Sequence, residues 1–224
     1  MISLDIFADP VCPFCYLGYG NLRHALKSVP VSPFEIHWHP FQLNPQIAKG
    51  GIDRRAYVEG QYGSKAKAVE AHVPVLKMAA EIDLPLDLGA VKRTPNTMDA
   101  HRLVYWAGLD DRATPMMEVL LAAYWAEGRD IGDTATLIEL FERAGGDPKL
   151  AERLLAGDAD CDAMRARESH ARERGISAVP TFILDNAHAI SGAQPVTLWR
   201  QVLDDLAGLT FEEGDAEDRE PPNA

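Results

Sequence analysis

The chain has 224 residues, enough to bury a sizeable core, and its 46% hydrophobic and 25% charged residues are those of an ordinary globular protein. A formal net charge of −12 disfavours nucleic acid and anionic membranes as partners, since both need a basic footprint. No stretch reaches the roughly 18 uncharged apolar residues of a membrane span, and three cysteines are too few for a disulfide-stapled scaffold.

The first residues enter a strand pattern at once, with Ile2, Leu4 and Ile6 on one face as far as Ala8. They lack the basic and long apolar regions of a secretory leader, so a cytoplasmic protein is expected. Asp9-Pro10 breaks the strand. Cys12 then opens a helix to about Val29, with Leu17, Leu22, Ala25, Leu26 and Val29 at helical spacing and Pro13 suited to the first turn. Pro30 and Pro33 close it. Residues 34–41 alternate again and predict a second strand, parallel to the first. The result is a β-α-β unit with Cys12-Pro13-Phe14-Cys15 at the strand-to-helix junction.

From about Leu43 to Gly175 the strand signals vanish. Helices are predicted over 64–82, 97–109, 114–126, 134–144, 147–155 and 160–174, several starting at Ser, Thr or Asp caps. Pro74 kinks or splits the first of these. Residues 179–184 read as a short apolar strand, Asp185-Asn186 as a turn and 188–191 as its hairpin partner. A last helix runs from Pro195 through Leu206. The chain is thus expected to be α/β, with residues 1–43 and 175–210 forming one domain around an all-helical insertion, 44–174. Residues 211–224 hold six acids and little apolar content, and are expected to form a disordered tail.

The CxxC alone admits three readings. As half of a zinc site it needs two more ligands, which His37 and His39 on one strand face could supply; two structural cysteines are the plainest alternative. At a helix N-terminus, however, the free N–H groups and the dipole stabilise a thiolate on Cys12. Three residues on, Cys15 lies on the same side of the first turn, so an exposed Cys12 attacks a disulfide and a shielded Cys15 resolves the mixed disulfide. Cys161 is the third cysteine, either a bystander on a helix or a further redox group. Val179-Pro180 puts a proline at the start of a strand that must pair, which fits a trans edge proline or a cis bond.

Taken in order, the CPxC motif with Tyr16-Leu17-Gly18, the helical insertion, and Val179-Pro180-Thr181-Phe182 with its hairpin resemble the DsbA family of the thioredoxin superfamily. Residues 96–103 (Asn-Thr-Met-Asp-Ala-His-Arg-Leu) and 190–194 (Ile-Ser-Gly-Ala-Gln) narrow the resemblance to the FrnE-like subgroup. Its relatives include 2-hydroxychromene-2-carboxylate isomerases and kappa-class glutathione transferases. The resemblance covers about Ser3 to Leu206. It implies a thioredoxin-like fold, Cys12 as nucleophile, Cys15 as resolving cysteine, Pro180 as a cis-proline facing them, and Val179 as the residue whose backbone meets a bound peptide or glutathione. Gln194 and the turn after it match the place where glutathione-using relatives hold a carboxylate. The Pro-Phe dipeptide departs from the Pro-His of strongly oxidising members. Phe14 cannot stabilise the thiolate as histidine does, so a less oxidising couple is expected. Glutathione-transferring relatives carry serine in place of Cys12, so both cysteines together favour redox chemistry.

Other residues carry two readings each. Phe14, on the exposed first turn, is expected to contact substrate. Asn96 and His101 either line a cleft or serve as a helix cap and a core histidine. Asp9 either influences the thiolate or only shapes its turn.

Three functions follow. The first is a dithiol oxidoreductase acting on protein disulfides or small thiols, with no metal or organic cofactor and glutathione as a co-substrate. The second is a glutathione-dependent isomerase or transferase acting on an aromatic small molecule. The third is a non-catalytic module holding a partner protein or client peptide. The pattern leaves monomer and homodimer equally open.

Overall fold

The computed structural model describes residues 1–217. The β-α-β start is as expected: β1 (Ile2–Ala8), α1 (Pro13–Leu26) and β2 (Phe34–Pro40), with β1 and β2 parallel and Ile2 opposite Phe34. At the other end β5 (Thr181–Leu184) and β6 (His188–Ser191) form an antiparallel hairpin. β5 adds to the free side of β1 antiparallel, with Ile6 opposite Phe182. The sheet order is β2-β1-β5-β6, so the first and last segments share one sheet. With the helical block between β2 and β5, this is a thioredoxin-like fold with a helical insertion.

The elements between are α2 (Arg54–Tyr62), α3 (Lys65–Glu81), α4 (Met98–Gly108), α5 (Ala113–Trp125), α6 (Thr134–Arg143), α7 (Pro148–Leu155) and α8 (Cys161–Glu173). Pro74 lies inside α3 without dividing it. The insertion is not all-helical: β3 (Ile52–Asp53) and β4 (Arg93–Thr94) pair antiparallel as a second, two-stranded sheet. α2 was not expected at all. It buries no residue, so no apolar stripe marks it, although Asp53 caps it by accepting from the Ala56 N–H at 2.8 Å. α9 (Val196–Glu217) runs past Leu206 into the stretch expected to form the tail. Residues 218–224, the end of that expected tail, lie outside the described residues.

One core cluster joins the two parts of the chain. Leu4, Ile6, Leu22, Phe182 and Trp199 meet Leu103, Met116, Leu120 and Trp125 in a single buried group. At roughly 1.5–3 kcal/mol for each fully buried large apolar side chain, this contact outweighs any hydrogen bond between the parts. Arg102, 1% exposed, organises the polar side of α4. Its guanidinium donates to Asp99 at 2.6 Å and to the carbonyls of Leu154, Gly157 and Ala159 at 2.6–2.7 Å, which ties α4 to the α7–α8 connection. Among the described residues, no helix is long and apolar enough to cross a membrane.

Candidate active site

β1 delivers the chain to a tight turn, Asp9-Pro10-Val11, before α1 begins. The Cys12 N–H donates to the Asp9 carbonyl at 2.9 Å, and the Val11 N–H to Asp9 Oδ1 at 3.3 Å. Cys12 is the N-cap of α1, its backbone extended (φ −86°, ψ 118°), and Pro13 follows in the first turn. No side chain caps this helix, so its positive end is left to the Cys12 sulfur. The Cys12 thiol lies 3.6 Å from the Val179 carbonyl, to which it donates.

The Val179–Pro180 peptide is cis. Two bonds hold its loop: Thr181 Oγ1 donates to the Ala178 carbonyl at 2.8 Å, and the Gly192 N–H donates to the Pro180 carbonyl at 2.8 Å. Gly18 lets this loop sit close to α1. A Cβ at position 18 would come within 3.0 Å of Pro180 Cγ and 3.2 Å of Ala193 Cα.

Cys12 is not exposed as expected. Cys12 is 4% and Cys15 2% exposed, because the residue 177–179 loop and the α2 segment close over the turn. The two thiols still differ. Cys12 lines a cavity of about 380 Å³ together with Phe14, Val179, Arg54, Tyr57 and His72, whereas Cys15 lines none of the described cavities. Burial pushes the Cys15 thiol well above the usual cysteine range, and the neighbouring Cys12 pushes it further. Phe14 is 42% exposed at the rim of the cavity, as its place on the first turn implied.

The cavity continues. Arg54, Val58 and His72 also line a second cavity of about 660 Å³, whose apolar wall includes the exposed Val69, Val73 and Leu76 of α3. Burial, and then Arg54, lower the His72 pKa. Arg54, Tyr57 and His72 were absent from the residues picked out in the sequence. The one local signal was Asp53 in a capping position ahead of them.

The remaining expected residues go elsewhere. Asn96 precedes Thr97, the N-cap of α4; its side chain accepts from the Met98 N–H at 2.9 Å and donates to the Ile47 carbonyl at 2.7 Å. It lines a separate polar cavity with Cys161, Gln42, Glu168 and Arg172, and Cys161 is buried there as a free thiol. Gln194 donates from its side chain to the Ser191 carbonyl, and its own carbonyl accepts from Asn21 at 2.8 Å. His39 bonds Asp5 at 2.6 Å, and His37 lies 3.7 Å from Glu35. Among the described residues no group of three or more His, Cys, Asp or Glu is arranged to hold a metal ion.

Asp9 does more than shape its turn. It is fully buried, and Oδ2 accepts from the Leu43 N–H at 2.7 Å. Burial, opposed by those N–H bonds and by Thr97, leaves its carboxyl pushed up to about 7. His101 is buried beside it, its Nε2 3.8 Å from Asp9 Oδ1 and without a hydrogen-bond partner.

The family sequence model for the DSBA-like thioredoxin domain matches residues 3–204. Among solved structures, the chain is similar to a probable DsbA oxidoreductase, SCO1869 from Streptomyces coelicolor. Identity is 28% over 100% of this chain and 94% of that one, with a TM-score of 0.83. A 2-hydroxychromene-2-carboxylate isomerase shares the fold at 21% identity and a TM-score of 0.69, over 96% of this chain and 98% of that one. The cytosolic disulfide reductase DsbM from Pseudomonas aeruginosa, also solved with GSH, shares it at 22% identity and a TM-score of 0.62, over 92% and 99% of the two chains. The family model covers nearly the whole chain, from the β-α-β start through the returning hairpin, and the chain belongs to the DSBA-like thioredoxin domain family.

Proposed function

We propose that the protein is a thiol–disulfide oxidoreductase that exchanges a Cys12–Cys15 disulfide or dithiol with protein or small-thiol substrates. The observation that supports this most is the asymmetry of the pair. Cys12 caps α1 and lines a cavity beside the Val179 backbone, while Cys15 is sealed behind it.

In the reducing direction the Cys12 thiolate attacks one sulfur of a substrate disulfide. A Cys12–substrate S–S bond forms, and the other substrate sulfur leaves as a thiolate that takes a proton from water. Cys15 then loses its proton and attacks Cys12 Sγ, forming the Cys12–Cys15 disulfide and expelling the second substrate thiolate. The substrate gains two electrons and the dithiol loses two; the oxidising direction is the reverse. The positive end of α1 supports negative charge at the cap as it develops, and Phe14 supplies an apolar edge against which a substrate packs. The exchange uses no metal or organic cofactor, and glutathione, the ligand in one DsbM structure, serves as a co-substrate for returning the pair to its starting state. The test is reduction of insulin by the wild-type protein and by Cys12→Ser. Retained activity in Cys12→Ser would sink the proposal.

The apolar cavity of about 660 Å³, which shares Arg54, Val58 and His72 with the cavity at Cys12, favours a second reading, a glutathione-dependent isomerase or transferase taking an aromatic small molecule. Its size lies within the range of small-molecule sites, and a 2-hydroxychromene-2-carboxylate isomerase has the same fold. Turnover of a chromene-type substrate only with glutathione would support it, and absence of glutathione binding by calorimetry would remove it.

A further inference from the structure

Cys161 takes no part in the exchange chemistry proposed above, yet it is not sealed in the core. It is 6% exposed and lines the polar cavity of about 450 Å³ that Asn96 also faces, which shares no lining residue with the cavity at Cys12. That volume lies within the range of small-molecule sites. The wall is firmly held. Arg102 donates to the carbonyls of Leu154, Gly157 and Ala159, and the Trp106 indole donates to Asp160 Oδ2 at 2.8 Å. The turn leading into α8 and to Cys161, its first residue, is thereby fixed.

Two buried side chains of this cavity present oxygens with nothing to accept. Gln42, 3% exposed, donates its side-chain amide to Asn96 at 3.1 Å and to Thr97 at 3.4 Å, and no described residue donates to its Oε1. Glu168, 7% exposed, takes the Gln42 N–H at 3.1 Å and Arg172 at 2.7 Å on Oε1 alone, which leaves Oε2 without a donor among the described residues. Neither oxygen is sealed from solvent, and both residues line the cavity. Buried acceptors call for a donor, and a carboxylate oxygen with an amide oxygen on one wall suits an ammonium group, which has three N–H bonds to give.

The opposite charge is provided as well. Arg165 spends only Nη1, on Asp162 at 2.7 Å, and Arg172 spends Nη2, on Glu168 and the Gln42 carbonyl. Their remaining N–H groups match a carboxylate. In a chain of net charge −12 the lining is balanced, with Lys49, Arg165 and Arg172 set against Asp99, Asp158 and Glu168. Lys49 and Asp99 already satisfy each other at 3.0 Å. A simple cation or anion would meet its own charge somewhere on this wall, whereas a zwitterion meets the opposite charge at both ends.

We propose that this cavity binds the head group of an α-amino acid, its ammonium on Gln42 and Glu168 and its carboxylate on Arg165 and Arg172, and that Cys161 forms a mixed disulfide when that amino acid carries a disulfide. The ligand class is a low-molecular-weight amino-acid disulfide. The step balances. Cys161 loses its proton to water and its thiolate attacks one sulfur of the ligand, a Cys161–ligand S–S bond forms, and the ligand's own S–S bond breaks. The electron pair of that bond leaves with the second half of the ligand, which takes up a proton as a free thiol.

The test compares three disulfides as probes: cystine, which carries both charges, cystamine, which carries only the ammonium, and 3,3′-dithiodipropionate, which carries only the carboxylate. The rate of adduct formation at Cys161 is read from the mass of its proteolytic fragment in a Cys12→Ser, Cys15→Ser protein, where Cys161 is the sole remaining thiol. Each rate is divided by that of the same disulfide with N-acetylcysteine amide, a neutral free thiol, which removes differences in intrinsic reactivity. Cystine is expected to lead both others at least ~10-fold. Arg165→Gln is expected to bring cystine down to the level of cystamine. Glu168→Gln, which keeps an acceptor for the Gln42 N–H and Arg172, is expected to bring it down to the level of dithiodipropionate. Should the double serine variant not fold, the same fragment of the wild-type protein in excess disulfide gives the comparison. Equal normalised rates for the three probes, a cystine lead untouched by both variants, or no adduct at Cys161 would overturn the site. The exchange reading at Cys12 stands or falls separately, by insulin reduction.

Discussion

Trp125, at the end of α5, donates its indole N–H to the Pro10 carbonyl at 2.9 Å, which anchors the turn before the dithiol to the helical insertion. Both groups are buried, and Arg54 lies over the same indole at 5.3 Å, so the insertion reaches the dithiol turn from two directions. Trp125→Phe keeps most of the apolar contact but leaves the Pro10 carbonyl unpaired. It is expected to lower unfolding stability by about 1–3 kcal/mol in urea titrations, and to loosen the turn so that Cys12 is alkylated faster than in the wild-type protein.

Separate cysteine substitutions give opposite chemical outcomes if Cys12 attacks and Cys15 resolves. Cys15→Ser stalls after the first step, so a mixed disulfide with Cys12 accumulates and is seen as added mass. Cys12→Ser leaves only a thiol sealed from the cavity, and disulfide-reducing turnover is expected to fall about 100-fold or more. Adduct formation at equal rates in both variants would contradict the assigned order.

Phe14 projects from the first turn and brings no charge to the thiolate. Phe14→His supplies a hydrogen-bonding, partly cationic group beside Cys12. This stabilises the reduced form and raises the reduction potential, about 30 mV for each tenfold change in the exchange constant with glutathione. Equilibration in glutathione buffers measures it. An unchanged or lowered potential would mean that the dipeptide does not act electrostatically here.

Asp9 and His101 also predict a pH dependence of stability. His101 sits well below its unfolded value of about 6.5, so its contribution is present above about pH 6.5 and is lost as pH falls toward about 3. Asp9 is shifted the other way, from 3.8 up to about 7; the folded state binds its proton more tightly, so that contribution is present at acid pH and is lost as pH rises between those values. Across pH 4–6.5 the two slopes oppose each other. Asp9→Asn is therefore expected to make stability rise more steeply with pH through that window, and His101→Gln to make it fall, both read from urea midpoints at successive pH values. Parallel curves for the two variants would show that the groups are not shifted in opposite directions.

Much of the framework is written in short-range pattern. The alternation of residues 2–8 and 34–41, the helical spacing after Cys12 and the turn at Asp185-Asn186 all lie within the reach of local rules, and the structure follows them, with the second strand ending at Pro40. What escaped depends on partners distant in the chain or on elements too slight to leave a pattern. β3 and β4 are two residues each, and α2 buries nothing, so neither period is expressed in side chains. The helices of the insertion announced themselves, but the residues that α2 brings over Cys12 did not. Asp9 looked like turn punctuation because its partners, Leu43, Thr97 and His101, are far away in sequence. The burial of Cys12 had the same origin, since the segments that cover it come from residues 54–72 and 177–179.

Gly18 gives the Tyr16-Leu17-Gly18 stretch a meaning that the motif alone lacked. With its missing side chain it acts as a spacer of zero thickness between α1 and Pro180. One added methyl would have to displace Pro180 or the Ala193 backbone, and the Val179 carbonyl would move with them away from the Cys12 sulfur. The width of the slot beside Cys12 is thus set from behind, by an atom that is not there. A substitution on a helix face with no view of the cavity would change what the cavity admits.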